Sequence, residues 1–135
     1  MNITGIIETC LYAEDLLPLK KFYQRLPGIS LVSEEIGRHV FFRCGSQMLL
    51  IFNPDHTSHE QTLVNGKKIP LHGSKGVSHI AFTIEKNSSS RWKSMLKNNN
   101  IDIESEVTWP NGTVSIYFRD PAGNSLEIME PGLWE

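Results

Sequence analysis

Three residues of this sequence have the types and the surroundings to do chemistry together: Glu8, His79 and Glu127. Glu8 lies within Gly5-Ile6-Ile7-Glu8-Thr9-Cys10-Leu11-Tyr12, His79 within Gly76-Val77-Ser78-His79-Ile80-Ala81-Phe82-Thr83, and Glu127 within Ser125-Leu126-Glu127-Ile128-Met129. Short, mostly apolar runs of this kind read as β-strands, and strand side chains alternate between two faces. With Ile7 and Leu11 toward the core, Glu8, Cys10 and Tyr12 face the other way. With Ser78, Ile80, Phe82 and Ile84 toward the core, Val77, His79, Ala81 and Thr83 lie opposite. Leu126 and Ile128 likewise leave Ser125, Glu127 and Met129 opposite. A carboxylate in mid-strand among apolar neighbours is costly to bury unless it is paired or binds a metal. One imidazole and two carboxylates suit a divalent ion such as zinc, nickel, manganese or iron. Three protein ligands leave positions open for water or substrate, which is the pattern of a catalytic site. Each residue alone has a plainer reading: Glu8 as a surface or dimer-edge carboxylate, His79 as a core histidine bonded to backbone, Glu127 as a partner for Arg119 or Arg43. Their equivalent places in an internal repeat favour a shared metal site.

That repeat supplies the elements that must position them. In each half a strand is followed by a helical stretch, the first from about Asp15 to Leu26 and the second from about Ser88 to Asn98. Asp15 suits an N-cap, Pro18 falls in the first turn, and Gly28 lies just past the end. Leu16, Leu19, Phe22, Tyr23 and Leu26 form one apolar stripe, and Trp92, Met95 and Leu96 form the other. Val40-Phe41-Phe42-Arg43 then matches Ile116-Tyr117-Phe118-Arg119, and Met48 to Pro54 matches Ser125 to Pro131. The chain is therefore read as an α+β protein of two βαβββ modules, about 1–54 and about 76–135, joined by a loop of about 55–75. A loop of that length is often functional or mobile; it carries His56, His59, His72 and an Asn65-Gly66 turn. Alternation in the closing strands puts Leu50 and Phe52 on the site face, with Ser115 and Tyr117 in the second half. His39 holds the position equivalent to Ser115, and Trp109-Pro110-Asn111-Gly112 reads as a hairpin loop that places Trp109 at a pocket mouth. His39, Phe41, Phe52, Trp109 and Ser115 are the candidate substrate contacts; Glu127 and Tyr117 are the candidate proton carriers. Arg119 is read as a structural ion-pair partner at its turn.

The bulk properties narrow the classes. A chain of 135 residues suits one ordinary domain. With 39% hydrophobic and 21% charged residues, it has the balance of a globular protein. A net charge of −2 offers no basic face, so nucleic acid is a poor partner. No apolar run is long enough to span a bilayer, and the first residues lack the build of a secretory signal. Cys10 and Cys44 have no metal-type spacing and read as reduced thiols of a cytoplasmic protein.

The string Tyr117-Phe118-Arg119-Asp120-Pro121-Ala122-Gly123-Asn124-Ser125-Leu126-Glu127-Ile128 resembles the signature of the vicinal oxygen chelate superfamily of glyoxalases, bleomycin-resistance proteins and extradiol dioxygenases: a strand, a DP-x-GN turn and a strand bearing a glutamate. Gly76 to Phe82 is similar to the family's second-module opening strand, and Leu11 to Gly28 to its first strand and helix. The resemblance implies curved mixed sheets around a cleft with helices outside. It also implies four metal-facing positions, here Glu8, Leu50, His79 and Glu127. Glu8 stands where a histidine is most familiar, and Leu50 stands where glyoxalase I enzymes carry a glutamate. The occupied set resembles the three-ligand pattern of extradiol dioxygenases and fosfomycin-modifying enzymes, with glutamate in place of one histidine. Two functions stay open. One is a metal-dependent lyase or isomerase, transferase or dioxygenase acting on a small oxygenated substrate, with the divalent metal as Lewis acid. The other is a metal-free binding module that sequesters an antibiotic or small metabolite in a cavity lined by Phe41, Phe52, Trp109 and Tyr117. The resemblance also implies a homodimer in which Glu8 of one subunit meets His79 and Glu127 of the other, with the long linking loop providing the reach.

Overall fold

A computed structural model describes residues 1–135, which divide into two units, Met1–Gly76 and Val77–Glu135. In the first unit the chain runs β1 (Glu8–Tyr12), α1 (Leu16–Tyr23), β2 (Ile29–Glu35), β3 (His39–Cys44) and β4 (Gln47–Phe52). The sheet order is β1-β4-β3-β2, with β1 parallel to β4 and the other pairs antiparallel. The helix starts where the apolar stripe does: Asp15 is extended, and Leu16, Leu19, Phe22 and Tyr23 are buried. They cover the face that carries Leu11, Val40, Phe42, Leu49 and Ile51, each at most 2% exposed. Burying a side chain of this size contributes about 1.5–3 kcal/mol, so this alternation fixes which face is left for chemistry. Ile7, expected in the core, is 75% exposed. Its carbonyl still accepts from the Met48 amide at 2.9 Å, but it precedes the first strand residue, Glu8.

The second unit repeats the plan with β7 (His79–Thr83), α3 (Ser89–Asn98), β8 (Ser105–Thr108), β9 (Val114–Arg119) and β10 (Ser125–Met129). Its sheet order is β7-β10-β9-β8, again with only the first pair parallel. The expected pair of βαβββ modules is thus formed. Leu96, Ile116, Phe118, Leu126 and Ile128 fill this core, whereas Ile80 and Phe82, also expected there, are half-buried and Ser78 is exposed. No helix of the chain is long and apolar enough to cross a membrane.

The segment between the modules is more ordered than a loop. Asn53 Oδ1 accepts from the Asp55 amide and starts the short helix α2 (Pro54–Thr57). It leads into a two-stranded hairpin, β5 (Thr62–Val64) and β6 (Lys67–Ile69). Asn65 and Gly66, at φ of 49° and 73°, make its turn, as a two-residue hairpin with both central residues left-handed requires.

Candidate functional site

Strand register turns the repeat into two comparable faces. In the first unit three cross-strand rows lie opposite the helix: Glu8 with Met48 and Arg43, Cys10 with Leu50 and Phe41, Tyr12 with Phe52 and His39. In the second unit the corresponding rows are His79 with Ser125 and Arg119, Ala81 with Glu127 and Tyr117, Thr83 with Met129 and Ser115. Glu8 therefore matches His79, and Leu50 matches Glu127. The two units fill equivalent positions with different chemistry.

The second unit brings His79 and Glu127 together. His79 Nε2 lies 3.3 Å from Glu127 Oε2. His79 Nδ1 lies 3.0 Å from the Ser125 carbonyl; a carbonyl can only accept, so Nδ1 carries a proton and, in the neutral ring, Nε2 presents its lone pair. That is how a ligating histidine is oriented by the group behind it. Glu127 is 5% exposed, and its Oε1 has no hydrogen-bond partner. Leaving a buried acceptor bare costs about 1–3 kcal/mol, and more for a charge. A divalent cation would satisfy that oxygen, so the pair fits a metal. Tyr117 sits beside Glu127 in the same row. Burial first, and then the Glu127 carboxylate, push its phenol above the ordinary value, so at neutral pH it holds its proton as a donor.

The DP-x-GN turn sets this geometry. Buried Asp120 accepts from the Ala122 amide at 2.9 Å, the Asn124 amide at 3.0 Å and Asn124 Nδ2 at 2.8 Å. Asn124 Oδ1 in turn accepts from the Ser78 amide at 2.8 Å, which ties the turn to the start of β7 one residue before His79. Gly123 has φ of 83°, and a Cβ there would meet Val77 Cγ1 at 3.3 Å. Arg119 is spent on this turn: it pairs with Glu104 at 2.6 and 3.0 Å and donates to the Gly123 carbonyl at 3.0 Å.

The remaining candidates divide by unit. Ser115 is fully buried, and its Oγ accepts from the Trp109 indole at 2.8 Å. Glu8 is exposed on the edge strand β1. No three His, Cys, Asp or Glu side chains gather within either unit; Glu8 belongs to the first and His79 with Glu127 to the second. His39, Phe41 and Phe52 line a cavity of about 500 Å³ in the first unit. Burial, the larger effect, holds the His39 imidazole below its ordinary value, against the opposing pull of Glu35. The same cavity contains residues the sequence reading left unassigned, among them Arg38 and Ile69, and it also includes His72, noted only as a loop histidine. These come from the linking segment and the turn between β2 and β3, where neither strand alternation nor the repeat assigns a side chain to a face.

Comparison with known proteins agrees with the fold. A family model described as the Glyoxalase/Bleomycin resistance protein/Dioxygenase superfamily matches residues 5–128. The crystal structure of a lactoylglutathione lyase from Agrobacterium tumefaciens is 40% identical, with a TM-score of 0.88 over 98% of both chains. The fosfomycin resistance protein FosX from Listeria monocytogenes is 21% identical, with a TM-score of 0.69 over 98% of both chains. A glyoxalase/bleomycin resistance protein/dioxygenase from Nocardioides is 20% identical, with a TM-score of 0.71 over 98% of this chain and 90% of that one. The last two show a common fold. With the family model spanning nearly the whole chain, this protein belongs to the glyoxalase/bleomycin resistance protein/dioxygenase superfamily.

Proposed function

We propose that this protein is a metal-dependent enzyme acting on a small oxygenated substrate, with Glu8, His79 and Glu127 as the metal ligands. One observation carries the reading: a buried Glu127 carboxylate with a bare Oε1, 3.3 Å through its other oxygen from an oriented imidazole. Zinc, nickel, manganese or iron(II) all suit such a donor set. When bound, the ion polarises the substrate's oxygens as a Lewis acid. Glu127 is placed to accept a proton, and the protonated Tyr117 phenol beside it to donate one. Identity of 40% to a protein described as lactoylglutathione lyase favours a lyase or isomerase over an oxygenase. Leu50 stands at the repeat position equivalent to Glu127, so the first unit brings a single carboxylate. That leaves the lyase activity named for that relative as one option within the class.

The missing partner for Glu8 is a second copy of the chain. Strands β1 and β7 each end a sheet, and Ile6, Ile7 and Val77 beside them are 67–75% exposed. Apolar surface next to a free strand edge favours an interface, and a two-fold dimer is the commonest closed oligomer. In this reading Glu8 of one protomer completes the pair His79 and Glu127 of the other. The aromatic cavity of the first unit favours a second reading, a metal-free module that binds an antibiotic or metabolite.

Elemental analysis of native protein separates the two. The enzyme reading expects one divalent ion per chain, abolished by His79→Ala and nearly so by Glu127→Ala. Unchanged metal content in His79→Ala protein sinks it. For the shared site, Glu8→Ala and His79→Ala chains, each metal-free, are unfolded together and refolded. Metal at one of two sites per heterodimer is expected. Metal-free heterodimers would place all ligands in one chain.

A further inference from the structure

We propose that the cavity of the first unit is a recognition pocket for a planar aromatic group that bears no negative charge. The pocket stands on its own geometry; only the statement of what lies at the other end of the ligand rests on the metal-dependent reading.

At about 500 Å³ the cavity has the size of a small-molecule site. Its floor is a set of rings standing on β3 and β4. His39 stacks on Phe41 with centroids 4.1 Å apart, and Phe41 meets Phe52 edge to face at 5.1 Å. His72 closes one side, edge to face with Phe52 at 4.9 Å. Ile69, the last residue of β6, and Pro70 after it add apolar surface. A space bounded by ring faces and edges is complementary to another ring, because both offset stacking and edge-to-face contacts are available in it.

The roof is fixed in place. Tyr12 and His72 are hydrogen-bonded at 2.7 Å between Oη and Nδ1, and the His72 amide donates to the Thr57 carbonyl at 3.0 Å. Arg38 Nη2 donates to Thr62 Oγ1 at 2.5 Å. At Gly73 a Cβ would come within 3.2 Å of Pro54 Cβ and 3.3 Å of Ser58 Cβ, so the segment lies tight against α2. A pocket held by these ties is formed before any ligand arrives.

The charge at the mouth selects against anions. Arg38 has Glu35 at 3.5 Å and Glu60 at 3.9 Å, while His39 lies 3.8 Å from Glu35 and His56 2.8 Å from Glu60, so the guanidinium is already set among carboxylates and has little left for another. The rings are also not demanded by the fold. The second unit keeps the same sheet with Ser115, Tyr117, Met129 and Thr83 at the positions of His39, Phe41, Phe52 and Tyr12. One module thus concentrates aromatic surface where the other carries a thioether and mostly hydroxyl groups. Glu8 is on the same face as the rings, four residues back along β1 from Tyr12, or about 13 Å at 3.3 Å per residue. A ligand seated in the pocket and reaching Glu8 is therefore longer than a three-carbon metabolite.

The test is calorimetric titration of the whole protein, as purified and after chelator treatment, with three matched probes: 2-naphthol, 2-naphthylmethylammonium and 2-naphthoate. The first two are expected to bind one per chain, and naphthoate at least tenfold more weakly. Ile69→Trp fills the cavity from a residue that is 44% exposed, so the chain should fold normally and lose at least tenfold in probe affinity. Phe41→Ala should lose as much, with its fold checked by thermal unfolding. No binding by any probe, naphthoate binding as tight as naphthol, or affinity unchanged in folded Ile69→Trp would each overturn the pocket. Metal is measured on the same samples. Probe binding by as-purified protein that carries no metal refutes the enzyme reading alone, and full metal with no probe binding refutes the pocket alone.

Discussion

Replacing Glu127 by glutamine keeps the side chain's shape and removes its charge. In protein stripped of metal, the wild-type carboxylate is 5% exposed with Oε1 unpartnered. Its Oε2 faces His79 Nε2 at 3.3 Å, and in the neutral ring that nitrogen is an acceptor, because Nδ1 is committed to the Ser125 carbonyl. A bare buried acceptor costs about 1–3 kcal/mol. Glutamine relieves part of this: its amide donates to Nε2, and a neutral oxygen is less costly to leave dry. His79 is 52% exposed, so water already softens the penalty, and the gain belongs at the low end of that range. Chelator-treated Glu127→Gln should therefore be about 1 kcal/mol more stable than chelator-treated wild type, roughly 3–5 °C in Tm for a chain of this size. Added metal reverses the order. A ligand at a hundred times its Kd stabilises by about 2.7 kcal/mol, and of the two proteins only wild type has the full proposed ligand set. The assay is thermal and urea unfolding of both proteins with chelator and with excess divalent ion. Lower stability of the variant in chelator, or a wild type indifferent to metal, would refute the reasoning that Glu127 is held for a cation.

Other outcomes follow from the same geometry. Asp120→Ala strips two buried donors and one part-buried donor of their acceptor and should cost about 2–4 kcal/mol in urea unfolding, whereas Glu104→Ala, which breaks an exposed pair with Arg119, should cost less than about 1 kcal/mol. The Tyr12 and Tyr117 phenols and the Cys10 and Cys44 thiols are all raised, chiefly by burial. Raised values mean that the folded chain keeps these protons longer than the unfolded chain. Stability from urea titrations should therefore be level below the ordinary thiol value of 9.0 and fall as pH rises past the ordinary phenol value of 10.0. Cys10→Ala should flatten that fall, and Tyr12→Phe should flatten it while also loosening His72, read as faster hydrogen exchange at the His72 amide.

How far the sequence could be read depended on which residues the repeat reached. Glu8, Leu50, His79 and Glu127 fall in register because strand alternation has a strict period of two and both modules use the same sheet order. A slip of one residue would have sent Leu49 and Ile51 to the site face, and their burial forbids it. Helix α1 was readable from its stripe, and α3 less so, since Trp92 and Met95 are only half-buried beside Leu96. Residues 54–75 have no counterpart in the second half. There Asn65-Gly66 gave away a turn, but the contact between Tyr12 and His72, 60 positions apart, has no local periodicity to betray it. The same holds for the bond from the Ser78 amide to Asn124: the DP-x-GN string marks a turn, and only the fold shows that it also anchors β7.

The difference between the modules limits what each can do alone. Backbone register is shared, so function separates through side-chain identity at a few equivalent positions. The second unit offers an imidazole and a carboxylate; the first offers Glu8 and, where a second ligand would stand, Leu50. A carboxylate alone does not hold a transition metal against water, and two ligands leave a site loosely held. Two first modules facing each other would place Glu8 against Glu8 with no imidazole, and two second modules would leave Glu8 unused. Only unlike modules supply the imidazole and both carboxylates. One chain carries one module of each kind, so the proposed ligand set predicts one ion per chain and not two.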